Sequence, residues 1–219
     1  MANLTQLKQF EELNGFLLVD KPEGIAFSTV VKAVKRKFNL VKVGHGGSLD
    51  AMASGLFILL INDANKFVDR VMGADRVWTA SVKWGETTDT GDIHGNSLGK
   101  CEVGKVEDFR GDIFQTEPEY CAIRKEGTAD YEIVNTGEHS QFMTHIYKLT
   151  VEGEKLGVTA AKGLIVRSLV KDMGGVLTAL RREKIGRFEV KDAIPFDKLL
   201  ELEFKDFPSC VMPLSQALL

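Results

Sequence analysis

Residues Gly44–Gly55 read Gly-His-Gly-Gly-Ser-Leu-Asp-Ala-Met-Ala-Ser-Gly, and the apolar run Leu56-Phe-Ile-Leu-Leu-Ile61 follows at once. Glycine adopts backbone angles closed to other residues, so the glycines around Asp50 predict a tight loop. The apolar run predicts a buried strand. Asp50 would then lie in a loop leading into the core, where a rigid scaffold can aim a carboxylate into a cleft. The alternative is that Asp50 only caps a turn or the Ala51–Ser54 segment.

The composition is that of an ordinary globular chain. It has 219 residues, of which 44% are hydrophobic and 27% are charged, so it can bury a substantial core. A net charge of −3 means that a nucleic-acid partner would need a local basic face. The cysteines Cys101, Cys121 and Cys210 are far apart, which fits a reducing compartment and predicts neither disulfides nor zinc. Since no signal peptide or membrane span is evident, we expect a soluble cytoplasmic protein.

Short strands and helices alternate around the loop. Gly15–Asp20 predicts a strand, Lys21–Gly24 a turn, and Ser28 the cap of an amphipathic helix. Asp75–Gly85 alternates in the manner of a strand.

The C-terminal half is less regular. Gly127–Thr136 predicts a turn and a short helix. Gly163–Leu180 predicts an extended start that continues as a helix, which Gly174 and Gly175 interrupt or end. Arg181–Phe188 reads as a basic segment before a final strand.

Basic residues continue along the amphipathic helix and into the loop after it. No acid occurs between residues 24 and 49. A charged helix face is commonly just solvated, but beside the Asp50 loop it predicts a surface that faces phosphates. The basic residues are Lys32, Lys35, Arg36, Lys37 and Lys42.

A polar loop follows the strand over residues 75–85. Its Asp89, Asp92 and His94 could be taken for metal ligands, but the spacing matches no calcium loop. Turn chemistry explains the same residues more simply, and we expect no metal and no nucleotide cofactor.

Several ordered segments resemble the TruB pseudouridine synthases, which act on uridine-55 in the T-loop of tRNA. The Asp50 segment is the specific one, and the others corroborate order and spacing over roughly residues 14–190. The corroborating segments are Gly15–Pro22, Trp84–Asp92, Pro118–Lys125 with Gly127 and Tyr131-Glu132, and Lys162–Arg167.

The resemblance implies an α+β fold with a mixed, mainly antiparallel sheet flanked by helices. It implies no cofactor and an obligatory Asp50, with Arg167 beside it. It also implies that His45 contacts the T-loop and that a Lys21-Pro22 turn supports the cleft. The expected substrate contacts are His45, Trp78, Lys21, Lys35, Arg36 and Lys37. A single carboxylate can attack the sugar or the base, or take a proton, and the sequence leaves these routes open.

The resemblance also implies a domain plan and a partner. Residues 1–13 would be an N-terminal extension, residues 14–205 the catalytic domain and residues 206–219 a tail. The expected absence of a C-terminal PUA-type domain departs from the family, in which a small RNA-binding domain usually follows the catalytic domain. The expected partner is the T-arm of tRNA, bound by a monomer that has no membrane association.

Two positions depart from the family pattern. Family tyrosines align with Trp78 and Ile165; a tryptophan can stack on uracil but offers no hydroxyl to exchange a proton. These changes favour a first alternative, a catalytically weakened RNA-binding or RNA-folding protein on the same scaffold. A second alternative is a hydrolase that uses Asp50 with Asp89 or Asp92, which would require paired carboxylates in one cleft.

Overall fold

The computed structural model describes residue 10, residues 12–116, residue 118 and residues 141–219, together with the backbone of residues 121–124 and 131–134. The N-terminal extension predicted over residues 1–13 therefore lies largely outside the described residues. The chain forms two compact units. The first contains the described residues up to Ala74 together with Arg182–Leu219, and the second contains those within residues 75–181. The predicted domain boundaries stay predictions.

The strands of the described residues, numbered in chain order, are β1 (Gly15–Lys21), β2 (Val43–His45), β3 (Ala53–Ile61), β4 (Arg76–Trp84), β5 (Glu86–Thr88), β6 (Ser97–Lys100), β7 (Gly111–Thr116), β8 (Cys121–Arg124), β9 (Tyr131–Val134), β10 (Gln141–Glu152), β11 (Lys155–Ala160), β12 (Gly175–Ile185), β13 (Phe188–Glu189), β14 (Ile194–Pro195) and β15 (Val211–Pro213). The α-helices are α1 (Phe27–Lys37), α2 (Val68–Met72), α3 (Val166–Asp172), α4 (Phe196–Glu201), α5 (Phe207–Cys210) and α6 (Leu214–Ala217). Short 3-10 helices cover Asn62–Phe67, Val106–Phe109, Val190–Asp192 and Phe204–Asp206.

The first unit is built on the antiparallel pair of β1 and β3, in which Lys21 lies opposite Gly55. The other edge of β1 pairs with β15 antiparallel and with β14 in parallel, while β2 joins β3. Every residue of Leu56–Ile61 is fully buried, as its apolar run predicts. This pair therefore forms a rigid base directly beneath the Asp50 loop.

The second unit is an antiparallel array in the order β4, β11, β10 and β7. Two hairpins, β5 with β6 and β8 with β9, accompany it. Helix α3 follows β11 and begins at Val166.

The predicted fold class is confirmed: the strands are mainly antiparallel, β1 pairs with β14 in parallel, and helices accompany them. Every described residue after Glu201 belongs to the first unit, so the described part of the chain contains no PUA-type domain. Within the same ranges, no helix is long and apolar enough to cross a membrane.

Two local predictions are wrong, and a third is wrong in part. Helix α3 ends at Asp172, beside Gly174 and Gly175, which were predicted to interrupt or end it, but β12 rather than further helix continues the chain to Leu180. Gly174 has φ +81°, and a Cβ there would lie 2.1 Å from the carbonyl oxygen of Glu102, so the chain leaves the helix at a position that only glycine fits. Strand β9 replaces the short helix predicted within residues 127–136, in keeping with the β-branched and aromatic residues at 131, 133 and 134. Ser28 lies inside α1, whose N-cap residue is Ala26.

Candidate active site

Asp50 lies half-buried in the loop between β2 and β3. The side chains of Leu49 and Met52 are buried on either side of it and anchor the loop to the first unit. The Asp50 carbonyl accepts a hydrogen bond of 3.1 Å from the Ala53 amide, and the Gly46 amide donates to the Ile58 carbonyl at 2.9 Å. The loop is therefore held at both ends, with its acid neither sealed in the core nor fully exposed.

Lys21, at the end of β1, lies beneath this loop and is 0% exposed. Its Nζ donates to the carbonyls of Pro22 and Ile25, both at 2.8 Å, and to that of Ala51 at 3.3 Å. Burial lowers the pKa of the Lys21 ammonium to about 8, while the Asp50 carboxylate opposes this shift by raising it. These contacts favour the supporting role; direct contact of Lys21 with substrate stays a prediction.

Arg182, on β12, is a site residue that the sequence did not single out. It is 1% exposed. Its Nε donates to the Leu56 carbonyl at 2.8 Å and its Nη1 to the Ser48 carbonyl at 2.9 Å. Its Nη2 lies 3.4 Å from the Gly47 carbonyl. One buried guanidinium therefore joins the two limbs of the Asp50 loop, which are the segment Gly47-Ser48 before the acid and the start of the buried run, Leu56, after it.

Gly55 shows why the loop and β12 can approach so closely. Its φ is +104°, and a Cβ at this position would lie 2.3 Å from the Arg182 carbonyl oxygen. A side chain at residue 55 would therefore separate the backbones. Gly55 is one of the glycines from which the tight loop was predicted, and in the structure it allows the close approach of its backbone to that of Arg182.

His45 ends β2 and is half-buried. Its ring centroid lies 5.1 Å from that of Phe27 and 5.8 Å from that of Phe57. The imidazole is thus part of an aromatic cluster at the base of the Asp50 loop. Contact between His45 and RNA stays a prediction.

The basic residues Lys35, Arg36 and Lys37 form the last turn of α1. Lys35 and Arg36 are exposed, and Nζ of Lys37 lies 5.5 Å above the Phe38 ring. Cations at a helix C-terminus also complement the helix dipole. The placement is thus compatible with both a phosphate-binding face and a solvated one.

Trp78, in the second unit, lies on β4 opposite Val158 of β11 and is 6% exposed. Ala80 and Val82, on the same face of β4, are buried as well. This burial favours a packing role over an open stacking platform. Stacking of a base on Trp78 stays a prediction.

Arg167 lies in the first turn of α3 and is buried. Its Nη1 donates to the Thr90 carbonyl at 2.9 Å, and its Nε lies 4.0 Å from a carboxylate oxygen of Asp92. Gly91 lets the loop approach, because a Cβ there would lie 3.0 Å from Cγ of Arg167. Arg167 thus lies buried beside Asp92, and its position beside Asp50 stays a prediction.

The two loop acids, Asp89 and Asp92, have local partners. Asp89 accepts hydrogen bonds from the amides of Thr90 and Asn96 and from the Asn96 side chain, and the last of these lowers the pKa of Asp89 most. Asp92 accepts from the Thr90 hydroxyl and the His94 amide, both at 2.9 Å. These are the contacts of a structured turn, as the sequence predicted.

The predicted site residues divide between the two units. Asp50, His45, Lys21 and the basic turn of α1 belong to the first, whereas Trp78 and Arg167 belong to the second. Within the first unit, the structure brings Asp50, Lys21 and the unpredicted Arg182 together around one loop. This arrangement suits a single carboxylate that needs a fixed direction.

Comparison with known proteins finds relatives that match most of this chain. The family model for the N-terminal domain of TruB family pseudouridylate synthases matches residues 35–157. A tRNA pseudouridine synthase B of Aromatoleum aromaticum is 35% identical over 88% of this chain and 71% of its own length. Another, from Pseudomonas paraeruginosa, is 33% identical over 96% of this chain and 76% of its own length.

Solved structures share the fold. A Cbf5-Nop10-Gar1 complex matches with a TM-score of 0.68 at 20% identity, over 96% of this chain and 63% of the matched chain. An H/ACA RNP bound to a substrate RNA containing 2′-deoxyuridine matches with a TM-score of 0.65 at 20% identity, over 99% of this chain and 63% of the matched chain. This chain thus spans less than two thirds of those proteins and shares their fold along nearly all of its own length.

Proposed function

Because the chain belongs to the TruB family of pseudouridylate synthases, a family of isomerases, we propose that it converts uridine-55 of the tRNA T-loop to pseudouridine with Asp50 as the catalytic carboxylate. The relatives are named tRNA pseudouridine synthase B, which supports tRNA as the substrate. The observation that carries the proposal is the setting of Asp50, half-buried on a loop whose carbonyls two buried cations hold.

The proposed reaction changes how uracil is attached to its ribose. The N1–C1′ bond breaks, the base turns, and a C5–C1′ bond forms, while C5 loses a proton and N1 gains one. The overall change is an isomerisation, with no net oxidation or reduction. A carboxylate can attack the sugar or the base, or remove a proton, and a fixed direction assists each of these routes.

The other site residues have roles that follow from their chemistry. The target uridine must leave the RNA fold to reach an acid, and His45 would occupy or stack against the space that it leaves. Trp78 would pack beside the base. Arg167 would orient the carboxylate through a charge-assisted contact. The last turn of α1 would bind phosphates of the T-arm.

The decisive experiment incubates the protein with unmodified tRNA and maps pseudouridine chemically. We expect product at the T-loop uridine from the wild type and none from Asp50→Asn, because the amide keeps the side-chain shape but cannot act as nucleophile or base. Binding of tRNA should stay within roughly threefold, since the loop backbone is unchanged.

Glu23→Gln is the matched control. Glu23 is an exposed acid in the turn after β1, and like Asp50 it raises the pKa of Lys21. Removal of this charge should leave pseudouridine formation intact. If Asp50→Asn forms product normally, Asp50 is not the catalytic acid; if both variants fail equally, the local charge rather than the catalytic group accounts for the loss.

The burial of Trp78 favours a second candidate, an RNA-binding or RNA-folding protein with little catalysis on the same scaffold. Such a protein would bind the T-arm but form no pseudouridine. Tight binding by the wild type without product in the mapping experiment would select this candidate. The hydrolase alternative has less support, because the oxygens of Asp89 and Asp92 accept hydrogen bonds within their own loop.

A further inference from the structure

We propose that Arg182 is a positioning residue that fixes the direction of the Asp50 carboxylate by clamping the two limbs of its loop. This inference rests on the proposed function of Asp50. The guanidinium acts through the loop backbone, since its hydrogen bonds reach the carbonyls of Gly47 and Ser48 before the acid and that of Leu56 after it. The clamp thus spans the whole turn on which Asp50 is carried.

The geometry uses all three nitrogens of the side chain. Nε and Nη1 make short contacts of 2.8 and 2.9 Å, and Nη2 makes a longer one of 3.4 Å. The planar guanidinium holds its donors in fixed directions. The loop segment at Gly47-Ser48 and the strand at Leu56 cannot shift past one another without breaking at least one of these contacts.

A stabilising role alone is a poor explanation for this group. Taking a guanidinium out of water carries a large desolvation cost, and well-packed apolar side chains often replace buried charges at no loss of stability. Arg182 is nevertheless among the largest fully buried side chains of the protein. A buried charge that holds two carbonyls of the Asp50 loop and one of the strand that follows it fits a role in geometry.

Lys21 completes the arrangement from the other side. Its ammonium accepts no hydrogen bond and donates one to the Ala51 carbonyl, directly after Asp50. Arg182 holds the carbonyl of Ser48, two residues before Asp50. The acid therefore lies on a short backbone segment whose two flanks are each bound by a different buried cation.

The clamp should control turnover more than substrate binding. A displacement of about 1 Å at a reacting group can reduce a rate on the order of a hundredfold. Arg182→Lys keeps the charge, but its single nitrogen cannot span the carbonyls of both limbs. We therefore expect this variant to lose roughly ten- to a hundredfold in kcat, with tRNA affinity within roughly threefold of wild type.

The experiment measures kcat for pseudouridine formation and tRNA affinity for the wild type and Arg182→Lys, at a temperature where both are folded. Arg187→Lys is the matched control: Arg187 is an exposed arginine of the same unit that also donates to a main-chain carbonyl, that of Gln216. It should retain wild-type kcat. An unchanged kcat in Arg182→Lys, or a loss that only follows the folded fraction, would overturn the proposal.

Amide hydrogen exchange gives a readout that needs no substrate. In Arg182→Lys the Gly46 and Ala53 amides should exchange faster, since both belong to the clamped loop. The Phe38 amide, bonded to the Val34 carbonyl in the same unit, should be unchanged. Equal loop exchange in variant and wild type refutes the clamp even if turnover falls. If the wild type forms no pseudouridine, the proposed function fails, while the exchange data still decide whether Arg182 holds the loop.

Discussion

The ionisation of Lys21 gives a quantitative test of the electrostatics beneath the Asp50 loop. Burial lowers the pKa of this ammonium from 10.5 to about 8 in the folded protein. Between those two values the unfolded chain binds a proton that the folded chain does not. Raising the pH through this window therefore increases the free energy of unfolding. At lower pH the folded protein bears the cost of a buried charged ammonium, and this cost disappears as Lys21 becomes neutral.

The size of the effect follows from the two pKa values. A difference of 2.5 between 10.5 and about 8 corresponds to roughly 3 kcal/mol of folding free energy. Most of that cost is present at pH 7 and little remains at pH 10. The contribution of Lys21 to the free energy of unfolding should therefore rise by about 2 kcal/mol between these pH values.

The assay is urea unfolding of the wild type and Lys21→Met at pH 7, 8, 9 and 10. The difference in unfolding free energy between the two proteins isolates the titration of Lys21 from that of every other group. Lys32→Met, which removes an exposed lysine of the same unit, controls for the loss of one lysine charge. The reasoning would be refuted if the difference in unfolding free energy between wild type and Lys21→Met stays constant across the pH series, or if the wild type becomes less stable relative to Lys21→Met as the pH rises.

Asp50→Asn sharpens the same measurement. The carboxylate of Asp50 is the largest influence that raises the pKa of Lys21 against its burial. The rise in relative stability should therefore begin at lower pH in the Asp50→Asn background. Identical profiles in the two backgrounds would show that the two charges do not interact.

The remaining predictions concern the RNA-facing residues. Changing Lys35, Arg36 and Lys37 together to Ala should weaken binding of all tRNAs alike and flatten its salt dependence, because each phosphate contact releases counterions; unchanged affinity and slope would mean a solvated face. The charge-matched control removes three exposed lysines of the same unit, Lys66, Lys198 and Lys205. Trp78→Ala should lower the free energy of unfolding by about 3–5 kcal/mol as a buried aromatic is lost, and folded Trp78→Phe should keep turnover within roughly threefold of wild type. If Trp78→Tyr forms pseudouridine far faster than both Trp78→Phe and the wild type, a hydroxyl at this position contributes to the reaction.

Periodicity and local chemistry predicted the elements whose burial follows a simple pattern. The apolar run at 56–61 is the buried half of β3, and the alternation at 75–85 is β4. Both signals are local, because side chains on a strand alternate between faces and a continuous apolar run fits a strand buried on both. The position of Asp50 in a loop leading into a buried strand followed from the glycines and the apolar run alone, whereas the short strand β2 before the loop was not predicted.

Strand β12 could not be predicted in the same way. Val176, Leu177 and Leu180 are all buried, and their spacing fits one face of a helix as well as a strand covered on both faces. What excludes the helix is a close approach: a Cβ at Gly175 would lie 2.6 Å from a Val82 methyl and 2.8 Å from the Trp84 ring. Such a contact between distant parts of the chain leaves no periodic signal in the sequence.

The failure to recognise Arg182 has the same origin. In the sequence it stands in a run of basic residues, which normally marks a solvated surface, and charged side chains are rarely buried without compensation. Its role appears once β12 is recognised as a strand that passes the Asp50 loop. One wrong secondary-structure prediction therefore concealed the residue that holds the candidate catalytic loop most extensively.

The electrostatics of the loop explain why cations hold it. Main-chain carbonyls accept hydrogen bonds, so side chains that hold the loop through its carbonyls must be donors. The side chains of Lys21 and Arg182 carry donor atoms only, and both donate to loop carbonyls. Arg182 in turn lowers the pKa of Lys21, so the two cations disfavour one another. Asp50 acts in the opposite sense on Lys21. The carboxylate proposed for catalysis is thus also a counter-charge to the group that holds it. A loss of activity in Asp50→Asn must therefore be compared with Glu23→Gln before it is assigned to chemistry.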